Sequence, residues 1–436
     1  MKRLGSFVLA GLGVMGLAFA PGQAEAQVAS LVPATDVEGP GISVGDSLVL
    51  HPAVEAEAGY ISNVFYEDAG ALGAGILRLS GKLDLASKKI AAEESFDFEE
   101  PAKDAAPSDV EMRVGARLTY EEMLSDRATV RDQRNLNFDI DGEFKFRPGR
   151  PLSFQLDERL LRDIRPRNFE DNSSTARLSN HLIVGATWAP GGGAIWGQLR
   201  YENYLDIFEA SETQFANRMN HTIGLQGNWQ WLPFTRLFAD VTYGFFGPIG
   251  STDLNGTPYK SSSQPIRGVA GIATKLSESM TIKLRAGWQY AGYSSGLGYN
   301  APVVGLEWGY RYSERGGLTL EYELDRFDSV NANFYRDHRF DARAVHLLGR
   351  IQLSGGVAAR LRRYGGIPVH IGAPVRDDFV FSLVARAGYT FGERYALTLQ
   401  YLGTVVTTEY RSVYQGFSDD PSFGRDELML GFRAGF

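Results

Sequence analysis

Apolar and polar residues alternate with a period of two along most of this chain. In RNLNFDIDGEFKFRP, Leu136, Phe138, Ile140, Gly142, Phe144 and Phe146 share one parity, and Asn137, Asp139, Asp141, Glu143, Lys145 and Arg147 the other. MTIKLRAGWQYAGY repeats the pattern with Met280, Ile282, Leu284, Ala286, Trp288 and Tyr290, and FVFSLVARAGYTF with Phe379, Phe381, Leu383, Ala385, Ala387, Tyr389 and Phe391. Such a run is a strand with one face in apolar and one in polar surroundings. About eighteen runs are predicted, beginning near residues 48, 75, 109, 134, 152, 177, 194, 219, 235, 265, 279, 301, 316, 339, 356, 378, 394 and 425. Each is roughly ten to fourteen residues long, beyond the five or six of an ordinary soluble strand and enough for a tilted strand to cross a bilayer.

The connections alternate in length. A tight set carries the Gly, Pro and Ser of hairpin turns: 148–151, 190–193, 232–234, 277–279, 313–317, 354–356 and 392–394. A longer, polar set lies at 163–176, 206–218, 247–264, 328–338, 364–377 and 408–424. Outer-membrane barrels have this asymmetry, with short periplasmic turns and long outer loops. The stretch 88–108 breaks the pattern. It is long and acidic where a short turn is expected, so it reads as a disordered insertion or as a docking segment for a periplasmic export partner.

A soluble sandwich alternates too, but here many apolar faces carry aromatics at one margin: Trp188, Trp229 and Trp231, Trp288 and Tyr290, Trp308 with Tyr310 and Tyr312, Tyr389 and Phe391. Amphipathic rings fit the bilayer interface. In lipid every backbone group must pair internally, so the sheet must close and its first strand must meet its last. The expected fold is all-β: a transmembrane antiparallel β-barrel of about eighteen strands, sixteen being the alternative count, with both termini periplasmic. The final run DELMLGFRAGF then reads as the closing strand. Leu428, Leu430, Phe432, Ala434 and Phe436 face lipid, Arg433 faces the lumen, and the terminal Phe436 is the expected signal for the β-barrel assembly machinery.

Residues 1–26 read as a signal peptide: Lys2 and Arg3, the apolar run FVLAGLGVMGLAFA, then Ala24 and Ala26 at a small-residue cleavage site. Residues 27–47 would be a periplasmic segment and 48–436 the barrel. The chain has 436 residues, 50 of them Gly, and no Cys. Disulfides are therefore excluded, and so is a lipid-modified Cys at the cleavage point. A formal net charge of −8, spread along the chain, argues against nucleic-acid binding.

Assigning the polar parity to the lumen gives a set of candidate functional residues. The basic ones are Arg78, Lys82, Arg113, Arg117, Lys283, Arg285, Arg360, Arg362, Arg386 and Arg433, with Arg267 and Lys275 on the same parity. The acidic ones are Glu55, Glu57, Asp139, Asp141, Glu143, Glu321, Glu323 and Asp325. Two readings stand. Neighbouring strands pair these charges across a wet wall, or sectors of opposite sign set up a field or a basic path for an anionic solute. Closure would bring the last five strands beside the second and third as one largely basic side, interrupted by the acids Glu55 and Glu57 on the first strand. An eighteen-strand barrel is wide enough for an aqueous channel unless loops plug it.

Enzyme signatures are not apparent. His51, His181, His221, His338, His346 and His370 fall in no metal-binding spacing. His181 in SNHL makes at best a weak Ser–His pair, and His221 lies on the apolar parity as an interfacial residue. No cofactor, metal or catalytic residue is expected. RLLRDIRPRNF at 159–169 reaches into an outer loop, as a segment for lipopolysaccharide phosphate or for loop salt bridges would.

LHPAVEAEAGYISNVFYE at 50–67 resembles the opening of the β-barrel porin type 2 family through His51, Pro52, Tyr60, Ser62, Asn63, Val64 and Phe65. The resemblance implies an outer-membrane channel, in some members linked to exopolysaccharide export. The expected function is thus a Gram-negative outer-membrane channel for polar solutes, with the exit of a secreted polysaccharide as its sharper form. A passive diffusion porin, or a plugged barrel with a structural or receptor role, is the alternative. Outer-membrane lipid and lipopolysaccharide are the expected surroundings.

Overall fold

The computed structural model describes residues 39–87, 109–163, 176–209, 214–250, 253–254, 257–258, 261–329, 332–366, 375–414 and 417–436. The expected signal peptide, the 88–108 insertion, most of 163–176 and His370 lie outside them. The wall is a closed antiparallel barrel of 18 strands. In chain order these are β1 (Leu48–Ile61), β2 (Ala74–Ser87), β3 (Val110–Leu124), β4 (Asn135–Phe146), β5 (Leu152–Asp163), β6 (Arg177–Trp188), β7 (Ile195–Phe208), β8 (Arg218–Leu232) and β9 (Thr235–Pro248). They continue with β10 (Ile266–Ser277), β11 (Met280–Ala291), β12 (Tyr299–Ser313), β13 (Gly316–Asp328), β14 (Phe334–Leu348), β15 (Ile351–Gly365), β16 (Asp377–Phe391), β17 (Tyr395–Thr408) and β18 (Phe423–Gly435). Each pairs with its sequence neighbours, and β18 pairs with β1 from Ala53↔Gly435 to Ile61↔Glu427. The Phe436 N–H adds a rung to the Pro52 carbonyl at 2.9 Å. A short strand, Ile42–Val44, doubles back on the foot of β1.

Closure leaves no strand edge, which is what lets the backbone sit in hydrocarbon. The outward parity is apolar: Leu79, Leu83, Leu118, Leu199, Leu225, Val241, Leu399 and Leu430 are all exposed. Exposed aromatics gather at both ends of this band. Trp188, Trp229, Trp231, Tyr312 and Phe391 stand at the short-turn end, and Tyr60, Tyr120, Tyr243, Trp288 and Tyr290 at the other. These are the two interfacial girdles of a membrane barrel.

Two strand starts differ from the sequence expectation. β14 begins at Phe334 and β15 at Ile351, each five residues earlier than predicted. In β14, Arg336 and His338 occupy the apolar parity and mask the alternation. In β15, Ser354-Gly355-Gly356 resembles a turn but lies inside the strand. The hairpin turns instead at Gly349, whose φ of 63° needs no Cβ.

Not all of the interior is wet. Asn63, 1% exposed, donates to the carbonyls of Glu67 and Gly424 and so ties the 62–73 loop to β18. Val64 from that loop and Val130 from the helical turn Ala128–Arg131 pack with Ile61, Ile76, Met123 and Met429 in one apolar cluster. Ile76, Met123 and Met429 alternate with outward residues, so the cluster fills one side of the outer mouth. The Ser62–Phe65 motif is thus the start of an inward-packed loop.

Candidate functional site

The inner wall is a lattice of ion pairs within and between strands. Its densest node is Arg78 on β2, which reaches Glu57 on β1 at 3.0 Å, Glu121 on β3 at 2.6 Å and Glu427 on β18 at 3.1 Å. Alternation makes this possible, because every second residue of each strand points inward and its neighbours stand one strand spacing away. One guanidinium thereby links four strands across the seam of the barrel.

The same logic holds around the wall. Asp84 takes Arg113 at 2.8 Å and Lys82 at 3.8 Å, and Arg117 takes Glu55 at 2.6 Å. Arg159 binds Asp139 through two bonds of 2.9 and 2.8 Å, and Lys145 meets Glu143 at 2.8 Å. Asp141 lies against the bare Cα of Gly115. Arg285 pairs with Glu323, Arg343 with Glu321 at 2.8 Å, and Arg267 with Asp325 at 3.0 Å. Arg362 binds Asp337 at 2.9 Å and lies 3.9 Å from the centroid of the Tyr335 ring. Arg386 donates to Gln400 at 2.8 Å. Lys283 stands opposite Glu307 in register, with its ammonium 5.9 Å from the Phe238 ring. Lys275 holds Glu278 at 3.1 Å, and Arg433 is 8% exposed on the inner face of β18.

The expectation of one largely basic side is therefore revised. Parity alone groups Arg78, Arg362 and Arg433, but acids on the same or adjacent strands interleave with them: Glu121, Asp337, Asp341, Asp378 and Glu427. Arg360 stands apart. It is 2% exposed, its Nη1 has no hydrogen-bond partner, and no ion pair to it occurs among the described residues. Its flanking neighbours in register are Arg339 and Val380.

Sequence reading missed a second node. Arg200 binds Glu202 at 2.7 Å and Asp240 at 2.6 Å. Asp206 takes Arg218 at 3.0 Å and Arg177 at 3.5 Å, and Arg218 also reaches Asp328 at 2.5 Å. The signal was present in LRYENYLDIF, where Arg200, Glu202 and Asp206 share a parity. Asp328 lies at the end of β13, five wall strands from Arg218, so this contact crosses the outer mouth rather than following the wall.

The described end of the 247–264 loop prolongs the wall ladder and reaches neighbouring outer loops. Ser263 bridges Phe246 and Tyr293, and the Ser261 hydroxyl bonds Asn333 at 2.9 Å. Asn333 in turn donates to the carbonyls of Ser295 and Leu297 at 2.9 and 3.1 Å, which ties three outer loops together.

In the 159–169 segment, Arg159 faces inward to Asp139, while Arg162 forks onto Glu209 at 2.6 and 2.7 Å; residues 164–169 lie outside the described chain. Three histidines contact outward tyrosines across strands: His221 with Tyr201 at 2.7 Å, His338 with Tyr322 at 3.1 Å and His346 with Tyr312 at 3.2 Å. His181 packs edge-on to Tyr204. Among the described residues no group of acids and histidines is arranged to hold a metal.

An apolar exterior around a charged interior, closed on itself, is the architecture of a Gram-negative outer-membrane protein. No protein-family model matches the chain, and no curated protein matches it in sequence. The resemblance at 50–67 therefore rests on those residues alone. In structure the chain is similar to OccAB4 of Acinetobacter baumannii, at 11% identity over 92% of this chain and 100% of that one, with a TM-score of 0.44. It is also similar to OccK2 (OpdF) of Pseudomonas aeruginosa, solved with glucuronate, at 10% identity over 89% and 98%, TM-score 0.46. The outer membrane protein opdK of Pseudomonas aeruginosa matches at 8% identity over 90% and 100%, TM-score 0.45. Likenesses this distant carry no statement about what the present chain binds or moves.

Proposed function

We propose that this protein is a passive outer-membrane channel for small polar solutes. The observation that carries the reading is the contrast between the two faces of one closed sheet. The outer face is apolar, and the inner face is lined by ion pairs whose long side chains point into the lumen. Eight strands give an interior that side chains fill, whereas sixteen to eighteen leave room for water. Inward-packed loops at 62–73 and around Ala128–Arg131 narrow one side of the mouth, and the Arg218–Asp328 contact crosses another part of it. Both features favour small solutes over an extended polymer. The polysaccharide-exit reading leaned on 88–108, which lies outside the described residues.

The test is liposome swelling with the purified, folded protein. Swelling should be fast with small solutes and fall steeply as solute size rises. Swelling no faster than that of protein-free liposomes would reject the channel.

A further inference from the structure

The outward face of the barrel carries a row of like charges. Arg326 on β13, Arg336 on β14 and Arg363 on β15 stand directly opposite one another in register. All three lie on the lipid-facing parity, at the long-loop ends of their strands. Neighbouring strands are about 4.8 Å apart, so the row is a strip roughly 10 Å wide. Like charges directly opposite destabilise a sheet.

Little in the barrel answers them. Arg336 makes no hydrogen bond or ion pair among the described residues, and its Nε–H is buried. Arg326 has one long hydrogen bond, to the Pro302 carbonyl at 3.5 Å, and lies 5.8 Å from the Tyr299 ring. Arg363 meets Asp377 at 3.6 Å, but both side chains are more than half exposed, so the pair contributes little. Asp325 and Asp337 face the lumen, where Arg267 and Arg362 hold them, and Asp328 is held by Arg218. The flanking stretches 330–331 and 367–374 contain no acidic residue. Toward the middle of the barrel the same face turns apolar. Tyr322 and His338, joined at 3.1 Å, mark the boundary, and Phe340, Leu361 and Val357 stand exposed beyond it.

We infer that this row binds the phosphate groups of a lipopolysaccharide molecule in the outer leaflet. Short turns mark the periplasmic end of a membrane barrel, so the long-loop ends of β13 to β15 lie in the leaflet whose lipids carry phosphorylated sugar heads. A guanidinium presents a planar fork of donors that matches phosphate oxygens. A phosphate between two of these arginines replaces repulsion with attraction, and it accepts from the buried Nε–H of Arg336. The acyl chains of the same molecule descend over Phe340, Leu361 and Val357. Inorganic phosphate gains only the polar half of this fit, so the lipid is the occupant.

The test does not depend on conduction. Phosphorylated lipid A, the same lipid stripped of phosphate, and inorganic phosphate are each titrated into the full-length folded protein in detergent, with bound lipid counted by native mass spectrometry. Saturable binding of phosphorylated lipid A is expected, with a dissociation constant on the order of micromolar, and about tenfold weaker binding of the stripped lipid. Arg336→Gln breaks no ion pair among the described residues, so it should keep the heat-modifiable gel migration of a folded barrel while weakening phosphorylated lipid A about tenfold. The combined Arg326→Gln, Arg336→Gln and Arg363→Gln variant should bind the two lipids equally; if it does not fold, Arg336→Gln decides alone. Absence of lipid binding by the wild type overturns the inference, as does equal binding of the two lipids. So does an unchanged preference for the phosphorylated lipid in the folded variants, or its displacement by excess inorganic phosphate. Lipid binding without liposome swelling would uphold the site and reject the channel; swelling without lipid binding would do the reverse.

Discussion

Replacing Arg78 tests whether the ion-pair lattice holds the barrel closed. The guanidinium of Arg78 serves Glu57, Glu121 and Glu427 at 3.0, 2.6 and 3.1 Å, and the side chains of the latter two are only 3% and 2% exposed. Arg78→Met keeps the stem's volume and removes the charge. Three carboxylates then face one another, with Arg425, 3.5 Å from Glu427, as the remaining nearby cation among the described pairs. Removing one partner of a buried pair costs about 3–5 kcal/mol. Because Arg78 and Glu57 retain 12% exposure and partial screening, the lower end applies, about 3 kcal/mol or roughly two orders of magnitude in the folding equilibrium. The assay is urea unfolding in lipid vesicles, read by tryptophan fluorescence and by loss of heat-modifiable gel migration. Glu121→Gln in the Arg78→Met background should recover part of the loss, giving a coupling energy of about 1–2 kcal/mol between the two sites. A loss below about 0.5 kcal/mol, or strict additivity of the two changes, would refute the claim that this node locks the seam.

Other consequences are equally direct. Leu430→Arg places a charge on the lipid face of the closing strand and should cost about 2–4 kcal/mol in vesicles; a neutral outcome there would mean that Leu430 does not face hydrocarbon. Arg360→Met removes a buried guanidinium that has no ion pair among the described residues, so the barrel should be equally or more stable, by about 1–3 kcal/mol, while the reversal potential in a salt gradient moves toward cation preference. A destabilised variant with wild-type selectivity would count against Arg360 as an uncompensated lumen charge. Deleting Phe436 removes the rung to Pro52 and the exposed terminal ring, and should lower the amount of folded barrel in the outer membrane; unchanged outer-membrane levels would argue against an assembly role for that residue.

The barrel was legible in the sequence because lipid and water impose opposite demands on the two faces of a strand, and MTIKLRAGWQY or FVFSLVARAGY records both in every pair of residues. Legibility failed where local chemistry imitates something else. Arg336 and His338 put polar groups on the outward parity of β14, near its outer end, where headgroups rather than hydrocarbon are the surroundings. Gly355 and Gly356 imitate a turn inside β15. The lumen charges could be assigned to a face, but not to partners. Pairing depends on register and on which strands meet at closure, and the contact between Arg78 and Glu427 joins residues 349 apart in sequence. Arg267 and Asp325 meet across two intervening strands, a reach that no nearest-neighbour reading anticipates.

A continuous aqueous path through the closed barrel is the central claim, and single-channel recording in a planar bilayer tests it most directly. Folded protein added to one side should produce discrete, repeated conductance steps, ohmic at low voltage, whose size scales with salt concentration. A bilayer that holds verified folded barrels and stays at its baseline conductance would contradict the account.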